Sequence, residues 1–465
     1  MTTTGLIIAA GMGSRLADER AIPKPLRQVA GLTLLRRIIM LAVRAGLTRI
    51  VVVVGYQKEK IISYIAEESW PIPVECVDNP DWQKSNGVSV LAARARITEN
   101  FVLLMADHIF EANTLRDLCT SPLNGVEAVL AVDYKIDTIF DMPDATKVKA
   151  HNGKITEIGK ELTDYNCIDT GMFLMTPGVF EALEHARTLS GDCSLSEGIR
   201  ALAKVGRMAI FDIGKNYWQD VDTPAGRKQA EAVLLRSCRK DTDGFVSRHF
   251  NRYISLAISK HVLKTSLTPN QMTVLFFLTT GIPAAWLAMK GDYWTFFWAT
   301  VLFQLGSILD GVDGEVARLK FSNSKFGQWL DTACDNASYL LFFVGTAIGI
   351  YHLQPDFPMR LLIGAALFGL FTVLGCAFYV LSRKTDSGTM LAISEALQRR
   401  TKTSLFYKVL AKFQFIIRRD FFAVLFLLFG ILGKPLWVII GLALVANMGW
   451  LVILDLGRGM QKNKV

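Results

Sequence analysis

Between residues 272 and 454 the chain carries six apolar segments, at 272–289, 293–309, 332–351, 360–381, 421–433 and 435–454. A helix needs about twenty predominantly apolar residues to cross a bilayer, and the third and fourth segments fit that scale well. Gly433-Lys434-Pro435 is a weak divider between the last two. Six such segments in a row point to an integral membrane domain. Before residue 240 the pattern is different. Residues 1–240 hold 29 Lys/Arg and 29 Asp/Glu, whereas residues 241–465 hold 22 and 13, so the whole net charge of +9 belongs to the apolar half. Basic residues interleaved with apolar segments suit an anionic membrane surface; they argue against a nucleic-acid binder, which gathers its charge on a polar patch.

Charge also orients the segments. The stretch 382–420 contains nine Lys/Arg, and it falls on the same side as the loop 310–331 and the tail 455–465. The opposite turns hold only Lys290 and Lys434. The positive-inside rule therefore predicts six spans with both ends cytoplasmic. The N-terminus, MTTTGLIIAAGMGSRL, lacks a basic start and a cleavable apolar region, and reads as mature cytoplasmic sequence. Seven cysteines without a C-x-x-C pair read as reduced packing residues.

The first 235 residues form an α/β pattern. Strands are predicted at Gly5–Ala10, Ile50–Val54, Val74–Val77, Phe101–Met105 and Ala128–Val132, with helices at Leu34–Ala45 and Val88–Ala95. In such folds ligands gather beyond the carboxyl ends of the strands, and three clusters lie where that rule places chemistry. The first is Gly11-Met12-Gly13-Ser14-Arg15, followed by Ile22-Pro23-Lys24-Pro25-Leu26. Glycine lets backbone N–H groups approach phosphate oxygens, and Arg15 and Lys24 can neutralise them. The second is Asp107, directly after an apolar strand, where a carboxylate can hold Mg²⁺ against a nucleotide. The third is Trp218-Gln219-Asp220-Val221-Asp222-Thr223-Pro224, whose acids can supply another metal ligand or merely start a helix.

Together these segments resemble the nucleotidyltransferases that activate sugar phosphates, with a Rossmann-like mixed sheet. The resemblance implies that Gly11, Gly13, Ser14, Arg15 and Lys24 hold the triphosphate, with Asp107 and Asp222 on Mg²⁺ or Mn²⁺ and Asp220 as the alternative ligand. Asn79-Pro80-Asp81-Trp82, Asn86-Gly87-Val88-Ser89, Ile168-Asp169-Thr170-Gly171 and Gly191-Asp192-Cys193-Ser194 are more specifically similar to the inositol-phosphate cytidylyltransferases. That implies Asn86 and Ser89 near the base or ribose, and Lys160 and Asp169 near the acceptor.

Residues 236–268 read as a linker and an amphipathic helix, with Arg248, Arg252 and Lys260 interspersed among apolar residues, able to lie on a membrane or to pack against a domain. From 269 onward comes the membrane domain. Its most informative stretch is Asp310-x-x-Asp313-Gly314-x-x-Ala317-Arg318, then Gly327-x-x-x-Asp331-x-x-x-Asp335. Residues three or four apart share a helix face, so the acids pair on each of two helices, and Gly314, Ala317 and Gly327 leave room for those helices to approach. Four carboxylates together need a cation, and divalent metal is the economical one. The eight positions match the signature of the CDP-alcohol phosphotransferases, a family with six transmembrane helices. The resemblance implies that Asp310, Asp313, Asp331 and Asp335 hold metal and diphosphate, and that Asp335 is the base. It also implies that Gly314 and Ala317 make room for cytidine and that Arg318 meets phosphate. Arg383 and Lys384 follow the fourth span as candidates for an acceptor phosphate, or as plain membrane anchors.

The fusion, including the Asp241-Thr242-Asp243-Gly244 junction, resembles bifunctional inositol-phosphate cytidylyltransferase/di-myo-inositol-phosphate phosphate synthases. That family implies CTP, inositol 1-phosphate and CDP-inositol as substrates, a lipid bilayer around a homodimer, and no nucleic acid. Two rivals stand beside it: transfer of another activated alcohol to diacylglycerol, and a non-enzymatic membrane adaptor.

Overall fold

The computed structural model describes residues 2–13, 22–239, 243–384 and 419–458, together with 397, 400, 404, 407 and 408. The chain divides into two compact units, Met1–Arg236 and Ser237–Val465.

In the first unit nine strands form one mixed sheet. Its spatial order is Val74–Asp78, Arg49–Val54, Thr4–Ala9, Phe101–Met105, Cys167–Met175, Ala128–Asp133, Met208–Asp212, Lys154–Gly159 and Lys147–His151. The first four run parallel, and Cys167–Met175 enters antiparallel between Phe101–Met105 and Ala128–Asp133. Central strands are buried on both faces: Leu6, Val51 and Leu103 are fully buried, and so are their alternating neighbours Ile7, Val52 and Leu104. That accounts for continuous apolar runs instead of alternation. All five predicted strands are present, as are helices at Leu34–Ala45 and Asn86–Ala92. The antiparallel members of the sheet beyond Ala128–Asp133 are additions.

Parallel strands set their ends at one edge, and a small second sheet completes it. His108–Phe110, just past Asp107, pairs antiparallel with Trp218–Asp220, placing Asp220 opposite His108. The Val221 N–H donates to the Asp107 carbonyl at 2.9 Å. Segments more than a hundred residues apart thus meet through backbone pairing.

Among the described residues of the second unit, five helices are long and apolar enough to cross a membrane: Pro269–Ala288, Tyr293–Leu319, Lys325–Leu353, Phe357–Val380 and Pro435–Arg458. The fourth and fifth have a mean hydropathy of 2.3 in windows only 17% buried. Side chains such as Phe368, Phe378 and Leu444 are more than half exposed. Such faces suit hydrocarbon, not water. The segment predicted at 421–433 is a shorter helix, Asp420–Ile431, so the six-span count is approximate.

One expectation needs correction. The acidic stretch 310–331 is not a loop: the helix from Tyr293 continues to Leu319 and the next begins at Lys325, capped by the Ser324 hydroxyl. Neither Gly311 nor Gly314 breaks the helix, since a glycine costs a helix interior only about 1 kcal/mol relative to alanine. The segment 245–263, open to lying on a membrane or packing against a domain, packs through its polar side. Arg252, Ser255 and Ser259 are buried, forming a polar seam against Tyr293–Leu319.

Candidate active sites

The soluble site forms where the glycine turn, the Lys24–Leu26 3₁₀ turn and the end of Phe101–Met105 converge. A cavity of about 220 Å³ is lined by Gly11, Gly13, Lys24, Asn86, Ser89 and Asp107, with Trp82 and Lys84 on its wall. Gly13 has φ +61°, and a Cβ there would press on the Lys24 side chain at 2.8 Å, so glycine is required on both counts. Pro23 and Pro25 fix the turn that aims Lys24 inward.

Lys24 is the centre of charge. Its buried ammonium donates to Asp107 at 2.5 Å and also to Asp222. Burial opposes its charge, but the two carboxylates outweigh burial and raise its pKa. Burial also works against the Asp107 carboxylate, yet Lys24 and His108 pull it down to about 2. The pair therefore already accommodates a cation, which is the fit a divalent ion requires. Asp220 and Asp222 also come within 4.8 Å of Asp144, an acid outside every motif read above. Lys160 joins this group through a 2.7 Å ion pair with Asp144.

The other predicted contacts divide. Asn86 lines the cavity while its Oδ1 accepts from the Leu195 N–H at 2.8 Å, tying the 191–195 segment to the site. Ser89 also lines it, but its hydroxyl is buried and accepts from Asn79 Nδ2 at 3.0 Å. Asp169 lies in the bulged strand Cys167–Met175 and accepts from the Gly171 N–H at 2.7 Å. Burial raises its carboxyl to about 6, against the lowering effect of that N–H. Ser14 and Arg15 lie outside the described residues.

The membrane site forms between the first three long helices. Asp310, Asp331 and Asp335 each place a ligand oxygen within 4.8 Å of the others. They line a cavity of about 20 Å³ with Asp313, Thr273 and Thr280, enough room for an ion or a water molecule. Asp313 is buried in the wall and accepts a hydrogen bond from the Thr273 hydroxyl. A π-helical turn at Phe277–Gly281 interrupts the first helix and brings Thr280 to the cavity; such turns often mark functional positions.

The small residues act differently from expectation. A Cβ on Gly314 would approach only Arg318 of its own helix, at 3.3 Å, and one on Gly327 would strike Asn270 at 2.7 Å. Close helix approach belongs instead to Gly345 and Gly349, where added Cβ atoms would lie 2.4 Å and 2.3 Å from the Ala285 and Ala288 carbonyl oxygens. Arg318 donates to the Cys238 carbonyl at 3.3 Å. The side chains of Arg383 and Lys384 lie outside the described residues, at the end of helix Phe357–Lys384.

Comparison with known proteins matches both halves of the chain. A MobA-like NTP transferase domain model matches residues 5–202, and a CDP-alcohol phosphatidyltransferase model matches residues 266–448. A bifunctional IPC transferase and DIPP synthase from Aquifex aeolicus is 32% identical, covering 96% of either chain. The chain belongs to the bifunctional IPC transferase and DIPP synthase family. It is thus an enzyme with a nucleotidyltransferase and a CDP-alcohol phosphotransferase domain. Family members from Rubrobacter xylanophilus and Thermococcus kodakarensis are 38% and 37% identical, over 74% and 71% of this chain and 76% and 72% of their own. A solved inositol-1-phosphate CTP transferase from T. maritima is 27% identical, covering 50% of this chain and 94% of its own, with a TM-score of 0.44.

Asp144, Thr273 and Lys84 escaped the sequence reading, while Trp82 lies in the quoted Asn79–Trp82 segment without a role of its own. Lys84 stands between that segment and Asn86–Ser89, a usable signal. Asp144 and Thr273 carry no motif and are found only by folding.

Proposed function

We propose that the chain converts CTP and 1L-myo-inositol 1-phosphate to CDP-inositol and pyrophosphate, then transfers phosphoinositol to a second inositol 1-phosphate with release of CMP. The reading rests on one observation above all: a single chain, aligned over nearly its full length with a family member, carries a soluble cavity where Lys24 joins Asp107 to Asp222 and a membrane cavity that gathers Asp310, Asp331 and Asp335.

In the soluble half, residues 1–235, the Gly11 and Gly13 backbone and Lys24 hold the triphosphate, with Ser14 and Arg15 joining from the same loop. Asn86 and Ser89 face the base or ribose, and Lys160 and Asp169 take the inositol phosphate. A phosphate oxygen of inositol phosphate bonds to the α-phosphorus, and the bond to the β-phosphate oxygen breaks. Both domain families depend on a divalent metal. Asp107 with Asp222, or Asp220 in its place, would hold Mg²⁺ or Mn²⁺ here; Asp310, Asp331 and Asp335, with Asp313 behind them, would hold it in the membrane domain, residues 269–465. When bound, the ion neutralises phosphate charge and stabilises the leaving group.

For transfer, Asp335 orients the attacking hydroxyl of the acceptor and takes its proton. The new bond forms at the phosphorus bearing inositol, and CMP departs. Arg318 meets the diphosphate after exchanging its carbonyl partner, and the small side chains of Gly314 and Ala317 make room for the cytidine. Arg383 and Lys384 hold the acceptor phosphate. Both sites face the cytoplasm, and the chain works as a homodimer in the cell membrane.

Purified protein given Mg²⁺, CTP and inositol 1-phosphate is expected to show CDP-inositol and then the phosphodiester by phosphorus NMR, without diacylglycerol. Rapid formation of a different CDP-alcohol from choline phosphate, ethanolamine phosphate or aminoethylphosphonate, with no CDP-inositol, refutes the inositol assignment.

A further inference from the structure

The helix Tyr293–Leu319 has two flanks. Asp310 and Asp313 line the transfer cavity, whereas Gly311, Glu315 and Arg318 follow each other at helical spacing on another stripe. On that stripe Glu315 is fully buried. Its Oε1 accepts from Arg252 Nη1 and from the Ser255 hydroxyl, both at 2.7 Å, and its Oε2 accepts from the Ser259 hydroxyl at 2.6 Å. Arg252 uses Nε and Nη2 to grip the Asp243 carboxylate at 2.8 and 2.9 Å. A Cβ on Gly311 would come within 3.1 Å of Arg252 Nη1 and 3.3 Å of Ser255, so this contact is also tight in backbone terms. Arg318 adds its bond to the Cys238 carbonyl. Cys238 and residues 252–259 are therefore seated along the back of the acid-bearing helix.

Burying such a network is an expensive way to join two helices, because an apolar seam of equal shape would hold at least as well. What the ions add is direction. A planar guanidinium satisfied by two carboxylates admits one arrangement of both, whereas apolar side chains tolerate sliding and rotation. Rotation matters here: one residue's step is roughly 100° about the helix axis, enough to take Asp310 away from its partners. Glu315 itself occupies a position that the eight-residue signature leaves open.

We propose that Glu315, held by Arg252 and Asp243, is a positioning residue for phosphotransfer. It fixes the rotation of the acid-bearing helix so that Asp310 stays within reach of Asp331 and Asp335. The inference rests on the phosphotransfer reading of that cavity.

The test uses the full-length chain in detergent, with three variants: Glu315→Gln, Arg252→Lys, and the double variant Arg252→Met/Glu315→Leu. CMP release from CDP-inositol gives kcat and KM for transfer, CDP-inositol formation from CTP is the internal control, and hydrogen–deuterium exchange reports amides 305–319. Glu315→Gln is expected to lower transfer kcat at least tenfold with KM nearly unchanged. Arg252→Lys recovers part of the rate, since an ammonium cannot fork to both carboxylates. The double variant removes both members of the pair. It is expected to melt near the unsubstituted protein yet remain at least tenfold slow in transfer, with faster exchange at 305–319. All three keep the CTP-dependent rate. A double variant that transfers at the unsubstituted rate overturns the inference, and so does parallel loss of both activities, which marks a mere scaffold. Absence of transfer in the unsubstituted chain defeats the phosphotransfer reading itself, and this inference falls with it.

Discussion

Two side chains separate the two chemistries. Asp335→Asn is expected to cut CMP release at least a hundredfold, the scale of a lost general base, while CDP-inositol still forms and accumulates. Lys24→Met does the reverse: it removes the cation between Asp107 and Asp222, so CTP consumption falls at least a hundredfold while transfer from supplied CDP-inositol continues. Asp169 offers a pH-dependent test. Its carboxyl titrates near pH 6 in the folded protein, above the ordinary range, so the folded state binds more protons than the unfolded one between about pH 4 and 6. Stability contributed by this group is therefore present at low pH and lost as pH rises through 6. Asp169→Asn should raise the melting temperature of the soluble half at pH 7.5, with the gain vanishing near pH 4, while use of inositol phosphate declines. The acids themselves were legible as residues following an apolar strand or spaced along a helix. The role of Lys24 as their bridge was not, because its partners lie 83 and 198 positions away and nothing in the local pattern joins them.

Elements were legible where burial is complete. Strands such as Arg49–Val54 and Phe101–Met105 are apolar runs because both faces are covered. The edge hairpin Lys147–His151 and Lys154–Gly159 alternates charged and apolar residues, and Cys167–Met175 is split by Gly171 at φ +72°, so neither gave a continuous apolar signal. In the membrane half, apolar length gave the helices but could not say where they end, since the acidic turns are as helical as the rest. Nor could it reveal which glycines matter. Gly349→Leu would force its side chain against the Ala288 backbone, separating the first and third long helices that flank the acids. Transfer should fall at least tenfold and the membrane half should melt earlier, with the CTP-dependent rate unchanged; circular dichroism melts alongside the two assays check this.

At the level of the molecule, composition alone divided a charge-balanced half from a basic, apolar one, and the chain folds as two compact units. If CDP-inositol is released between the steps, chains carrying Lys24→Met and chains carrying Asp335→Asn, each unable to make the final product from CTP alone, should make it when mixed. Phosphorus NMR of the mixture, against each variant by itself, is the measurement. The lysine that bridges the soluble acids has one more consequence. On the proposed reading, the ammonium that neutralises Asp107 and Asp222 is the one a triphosphate would draw away from them. Metal loading then becomes a response to nucleotide, so manganese titrated by electron paramagnetic resonance should bind this half weakly until CTP is added.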